Sequence, residues 1–248
     1  MQRTAQTRSP YTPATAPIGA AGDSLRKYSL AAGIFYLLTF VSIPTLALYR
    51  PVRAPGFITG SAADSPVIVG ALLEMIVALA GIGTAVALYP VVRRQGQARA
   101  VGFVASRTLE AATIYVGIVS LMSIVSLRQA GAGSSASVVA QGLAAQYQWT
   151  FFFAQSFIPA VNGVLLGTLM YQSLLVPRWL PTLGLVGAAL LVTCWFGVLF
   201  GLIDAISPIA ALAALPIAVW EFSLGIYLTF WGFRAAPIIA DMRPANQA

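Results

Sequence analysis

The stretch PVIVGALLEMIVALAGIGTAVALY at residues 66–89 decides the fold, because it is long, apolar and interrupted by one charged residue, Glu74. A hydrocarbon slab about 30 Å thick is crossed by about 20 helical residues rising 1.5 Å each. Backbone amides in lipid must find partners within the segment, so helix is the expected conformation. A barrel strand would instead alternate over about ten residues.

Outward from this run, the charges cut the chain into similar blocks, predicting spans over 29–49, 66–89, 100–127, 147–176, 180–203 and 208–233. The expected fold is all-α, a polytopic six-helix transmembrane bundle over 28–234 with a disordered tail at 1–27 and a short tail at 235–248. Composition agrees: of 248 residues 58% are hydrophobic and 8% charged, against about 25% charged in a soluble domain, and the mean hydropathy is +0.83. Residues 1–27 are rich in Thr, Ala, Pro and Gln and lack periodicity. The uncharged length of the first span favours a retained helix over a cleaved signal peptide. Residues 129–146, rich in Gly, Ala and Ser, read as a flexible outer linker. Trp149, Trp179 and Trp231 fall at predicted helix ends, as interfacial aromatics do. Pro44, Pro159 and Pro216 are expected to kink helices. The pairs Gly81/Gly83, Gly163/Gly167 and Gly184/Gly187 offer small faces for close packing.

The net charge of +7 comes from cations that flank apolar blocks rather than clustering among base-stacking aromatics, so nucleic acid is not an expected partner. The bilayer is, together with a second copy or another membrane protein. With the N-terminus inside, the inner segments hold Arg3, Arg8, Arg26, Lys27, Arg93, Arg94, Arg99, Arg178, Arg234 and Arg243, and the outer ones only Arg50, Arg53 and Arg128. Cytoplasmic loops carry the excess of cations, so both termini are expected in the cytoplasm of a cell with this protein in its inner membrane. The sequence has no histidine and one cysteine, Cys194. It therefore lacks an internal disulfide, a His/Cys set for zinc or haem, and a histidine-based nucleophilic triad. No catalytic residue, cofactor or metal is expected.

Four charged side chains fall inside the predicted spans: Glu74, Arg107, Glu110 and Glu221. Ions at bilayer depth cost at least about 2.5 to 3.5 kcal/mol each on insertion scales, so they face inward and take partners. Arg107 and Glu110 are three apart and share a helical face. At 1.5 Å per residue, Arg107, Glu110 and Glu221 lie about 12, 16 and 18 Å from the inner ends of their helices, and Glu74 about 24 Å. One arginine cannot neutralise three carboxylates, so at least one is expected to hold its proton at neutral pH. Gln155 and Asn162, seven apart, are expected to share a face, lining a cavity or bonding a neighbouring helix.

The segments Leu88-Tyr89-Pro90-Val91-Val92-Arg93-Arg94, Arg107-Thr108-Leu109-Glu110-Ala111, Trp220-Glu221 and Gly232-Phe233-Arg234 resemble the bacterial membrane family named domain of unknown function 4386, over about residues 27–234. The resemblance implies a multi-helix inner-membrane protein and no established activity.

Three functions compete on these residues. Small-solute or proton-coupled transport would use the buried Arg/Glu cluster at mid-membrane. A non-catalytic scaffold or regulatory partner would use the same cluster to fix helix register. An intramembrane enzyme would need Glu110 or Glu221 as a base and Arg107 to hold an anionic head group, without a metal set, an activated nucleophile or a phosphate motif.

Overall fold

In the computed structural model, which describes residues 20–242 except 55 and 206, the first helix, α1, runs Ala20–Leu38 and then breaks. The cause is Pro44, which lacks an N–H and whose ring would strike the carbonyl four residues back. The chain tightens to 3₁₀ geometry over Thr39–Ser42 and continues as two single turns, α2 (Thr45–Leu48) and α3 (Arg50–Arg53). Where the sequence predicts a kink at Pro44 within a helix over 29–49, the helix breaks outright. It also begins earlier, inside the predicted tail at 1–27, because Leu25 and Ser29 are buried on one face. Residues 1–19 of that tail lie outside the described residues.

Five longer elements follow: α4 (Ser65–Val92), α5 (Gln97–Gln129), a fourth span built of α6 (Ser137–Phe152) and α7 (Ile158–Ser173), then α8 (Trp179–Leu199) and α9 (Pro208–Phe230). Six helical stretches are long and apolar enough to cross a membrane, and no strand occurs among the described residues. The protein is an all-α multi-pass membrane protein. Each span packs on its neighbours in sequence, α1 on α4, α4 on α5, α5 on α6 and α7, α7 on α8, α8 on α9, and the ring closes where α9 meets α1.

Residues 129–146 are not a flexible linker. After a 3₁₀ turn at Gly133–Ala136 they form most of α6. Ala140, Leu143, Ala144 and Tyr147 recur at helical spacing and pack against a core containing Leu121, Ile124 and Val125. The small side chains of this stripe disguise it. Trp149 accordingly stands inside α6 and not at a helix end, whereas Trp179 opens α8 and Trp231 caps α9. Between α6 and α7 lies a π turn, Phe153–Phe157. Pro159 has no N–H to return to Gln155, and a wider turn is one way a helix absorbs that loss.

Small residues bring helices together as their spacing implied. A side chain at Gly184 would run into the Trp220 ring, and a Cβ at Gly187 would lie 2.7 Å from the Ile217 nitrogen, so α8 and α9 meet nearly backbone to backbone. Gly201, at φ +70°, ends α8: Leu202 N–H returns to the Gly197 carbonyl at 2.8 Å and Gly201 N–H to Val198 at 3.0 Å. Those bonds satisfy carbonyls that the last turn leaves free. The predicted tail at 235–248 contains a 3₁₀ turn, Pro237–Met242, with Ile239 fully buried. Residues 243–248 lie outside the described residues.

Candidate functional site in the helix bundle

Arg107 on α5 is 2% exposed, an environment in which a guanidinium is costly unless it is paired. Its Nη1 bonds both oxygens of Glu110 at 3.3 and 3.0 Å, one helical turn along the same face. Its Nη2 donates to Glu221 Oε1 on α9. Asn162 on α7, fully buried, adds a bond from Nδ2 to Glu110 Oε2 at 2.7 Å. The Arg107 guanidinium also faces the rings of Tyr36 on α1, 5.4 Å from its centroid, and Phe103, at 5.7 Å. Gly81 of α4 lies against its aliphatic stem. Five of the six spans thus contribute to this one cluster. Three buried polar atoms at it have no protein partner: Tyr36 Oη, Arg107 Nε and Asn162 Oδ1.

Glu74 does not join this cluster. It lies on α4 seven residues from Gly81, which is about 10 Å along the helix. Its carboxyl accepts from Tyr49 Oη at 3.2 Å and from Tyr147 Oη at 3.0 Å. The two tyrosine rings meet edge to face, 5.3 Å between centroids. The break in α1 carries Tyr49 past the end of that helix to α4, where Gly70 leaves room for its ring. Gly117 of α5 does the same for Tyr147. The four intramembrane charges are therefore two sites, one ionic and one capped by phenols, with Glu74 apart as its greater depth implied.

Gln155 and Asn162 do not share a face either. Asn162 is buried in the ionic cluster, while Gln155 is exposed within the π turn. A π turn inserts an extra residue, so the two residues fall out of the register that an uninterrupted helix would give them.

The charged ends of the bundle have their own pairs. Arg128 bonds Asp64 at 3.0 Å and the Gly60 carbonyl at 2.9 Å, with its guanidinium 4.6 Å over the Phe57 ring. At the opposite end Arg26 caps α9 through the carbonyls of Leu228 and Thr229, at 3.2 and 2.7 Å. Arg94 bonds Asp241 in the final 3₁₀ turn at 2.6 Å. The hydrogen bond from that guanidinium holds the Asp241 carboxyl below the usual aspartate range.

The partners that sequence reasoning did not name are Tyr36, Tyr49 and Tyr147. A signal was available: a phenol hydroxyl inside an apolar span needs a hydrogen-bond partner, and Tyr147 ends the buried stripe of α6. Among the described residues no group of three His, Cys, Asp or Glu is placed to share a metal ion.

A closed ring of six apolar spans around buried polar side chains defines an integral membrane protein of the multi-pass helical class. Within that class the chain belongs to the family described as Domain of unknown function (DUF4386), whose model matches residues 31–232. No curated protein matches it, and no solved structure does.

Proposed function

We propose that this protein is a non-catalytic membrane scaffold or regulatory partner, in which the Arg107 cluster fixes one arrangement of the helices for contact with another membrane component. One observation carries this reading. Arg107 is bonded to carboxyls on α5 and α9, and Asn162 of α7 closes on the same Glu110. Interactions of this kind set register and partner choice in helical assemblies. The surrounding bilayer is the first partner, with a second copy or a different membrane protein as the next. The cation bias of the loops supports both termini on the cytoplasmic side of a bacterial inner membrane.

Proton-coupled transport of a small solute is the second reading, favoured by the charge count. One guanidinium faces two carboxylates, and three unpartnered polar atoms are gathered around them. Proteoliposomes with a trapped pH-sensitive dye separate the two. The scaffold reading expects no protein-dependent proton or solute flux, and a partner cross-linked in native membranes whose capture Glu221→Gln weakens. A flux that Glu221→Gln abolishes, in protein that still folds, overturns it.

A further inference from the structure

Glu74 is 6% exposed and, among the described residues, forms no ion pair. The charged and titratable groups facing it are Tyr49, Tyr147 and Arg53. Arg53 is only half-buried, and its Nε is engaged by the Tyr49 carbonyl at 3.2 Å. A buried carboxylate without a bonded cation is costly in low dielectric, and the usual relief is to hold a proton. Both carboxyl oxygens nonetheless face phenol donors, at 3.2 and 3.0 Å, which stabilise the anion once the proton leaves. The environment is therefore balanced between two states; Glu110 differs in having a bonded cation, Arg107, which it shares with Glu221.

A small cavity of about 10 Å³ adjoins the carboxyl, bordered by Glu74, Gly117, Tyr147, Thr150 and the exposed Gln155. That is close to the space one water needs; Ile114, Phe151 and Ala154 complete a largely apolar lining in which Glu74, Tyr147, Thr150 and Gln155 are the polar members. The cavity is bordered by Ala154 and Gln155 of the π turn, so the path from Glu74 toward the surface runs past that turn.

We propose that Glu74, with Tyr49 and Tyr147, forms a proton-binding site separate from the Arg107 cluster, which exchanges one proton with a water in the cavity beside Thr150 and Gln155. On release the carboxyl O–H bond breaks and its electron pair stays on the oxygen. The proton passes to the water, and the two phenols hold the resulting carboxylate. On uptake the sequence reverses. The site acts on a proton and on no larger ligand, since the cavity admits nothing bigger than water.

The test uses the full-length protein in lipid nanodiscs, treated with a hydrophobic carbodiimide, which reacts with protonated carboxyls in membranes. Adducts are mapped by mass spectrometry across a pH titration, and infrared spectra are recorded in parallel. The expected result is an adduct on Glu74 at mildly acidic pH that disappears at alkaline pH. It should be accompanied by a protonated-carboxyl band that is lost in Glu74→Gln and whose midpoint shifts in Tyr147→Phe. The wild-type adduct decides the matter even where Glu74→Gln fails to fold. An unmodified Glu74 at every pH, or labelling at Glu110 in its place, overturns the proposal. So does a folded Glu74→Gln protein with an unchanged spectrum. None of these outcomes depends on whether the Arg107 cluster serves scaffolding or transport.

Discussion

Asn162 on α7 donates to Glu110 on α5 at 2.7 Å, from a position with no solvent exposure. The bond joins two helices whose polar groups have no water to turn to. Asn162→Ala is expected to destabilise the folded protein by about 1 kcal/mol, as interhelical hydrogen bonds in membranes do. The measurement is unfolding in a mixed detergent series. A variant with wild-type stability would mean that Glu110 draws nothing from α7.

Replacing Arg107 is expected to be far more damaging. Arg107→Met leaves Glu110 and Glu221 without their cation, and breaking a buried pair from one side costs about 3 to 5 kcal/mol. The triple variant Arg107→Met, Glu110→Gln, Glu221→Gln removes all the charge together and is expected to recover most of that loss. Thermal denaturation followed by size-exclusion chromatography compares the two. Equal damage in both would place the loss in packing against Tyr36 and Phe103 and not in charge.

The end of the bundle that carries Asp241 is expected to respond to acid. The Arg94 hydrogen bond lowers the Asp241 carboxyl from its ordinary value of 3.8. A carboxyl depressed in the folded state adds stability above its unfolded value, and that contribution disappears as pH falls through the folded one. The pair's small contribution to the last 3₁₀ turn is thus present at neutral pH and is lost as acid protonates Asp241, while the Arg94 bond to the Ile238 carbonyl and the burial of Ile239 persist. Amide hydrogen exchange around Ile239 follows that loss, and Asp241→Asn should reproduce it at neutral pH.

Two glycine substitutions should move in opposite directions. Gly142 lies inside α6 with nothing within 4 Å of an added Cβ, so Gly142→Ala should stabilise by about 0.5 to 1 kcal/mol, the helix cost of glycine. Gly184→Leu forces a side chain into the Trp220 ring and should destabilise by about 1 to 3 kcal/mol or more. Melting temperatures of the two variants, measured side by side, test both. Destabilisation by Gly142→Ala would contradict a helical α6.

The spans were readable because their defining signal is one-dimensional: an apolar run with few charges, long enough to cross the bilayer. Residues 66–89 carry that signal without help from the rest of the chain. The break in α1 was less readable, since Pro44 is compatible with either a kink or a stop, and contact between Tyr49 and α4 decides it. The first part of α6, residues 137–146, escaped notice because its stripe includes Ala140 and Ala144 among Ser, Gly and Gln neighbours, a composition that resembles a linker. Of the site, the Arg107–Glu110 pairing follows from spacing alone, and Glu221 from depth. Depth also sets Glu74 apart, but its phenol partners do not follow from the sequence, because they are delivered by an interrupted first span and by α6. Nor does the parting of Gln155 from Asn162, which a single π turn brings about.

The order of the ring bears on how the protein is made. Spans that touch their predecessors can dock as each leaves the ribosome, but α9, which brings Glu221, is the last of them to be synthesised. Until then Arg107 has one acidic partner, Glu110, which enters the membrane on the same helix three residues away. The pair therefore arrives already neutralised, and insertion of α5 does not have to wait for the rest of the chain. Arrival of Glu221 then marks completion: the second half of the guanidinium is engaged only once the last span, α9, has reached α5.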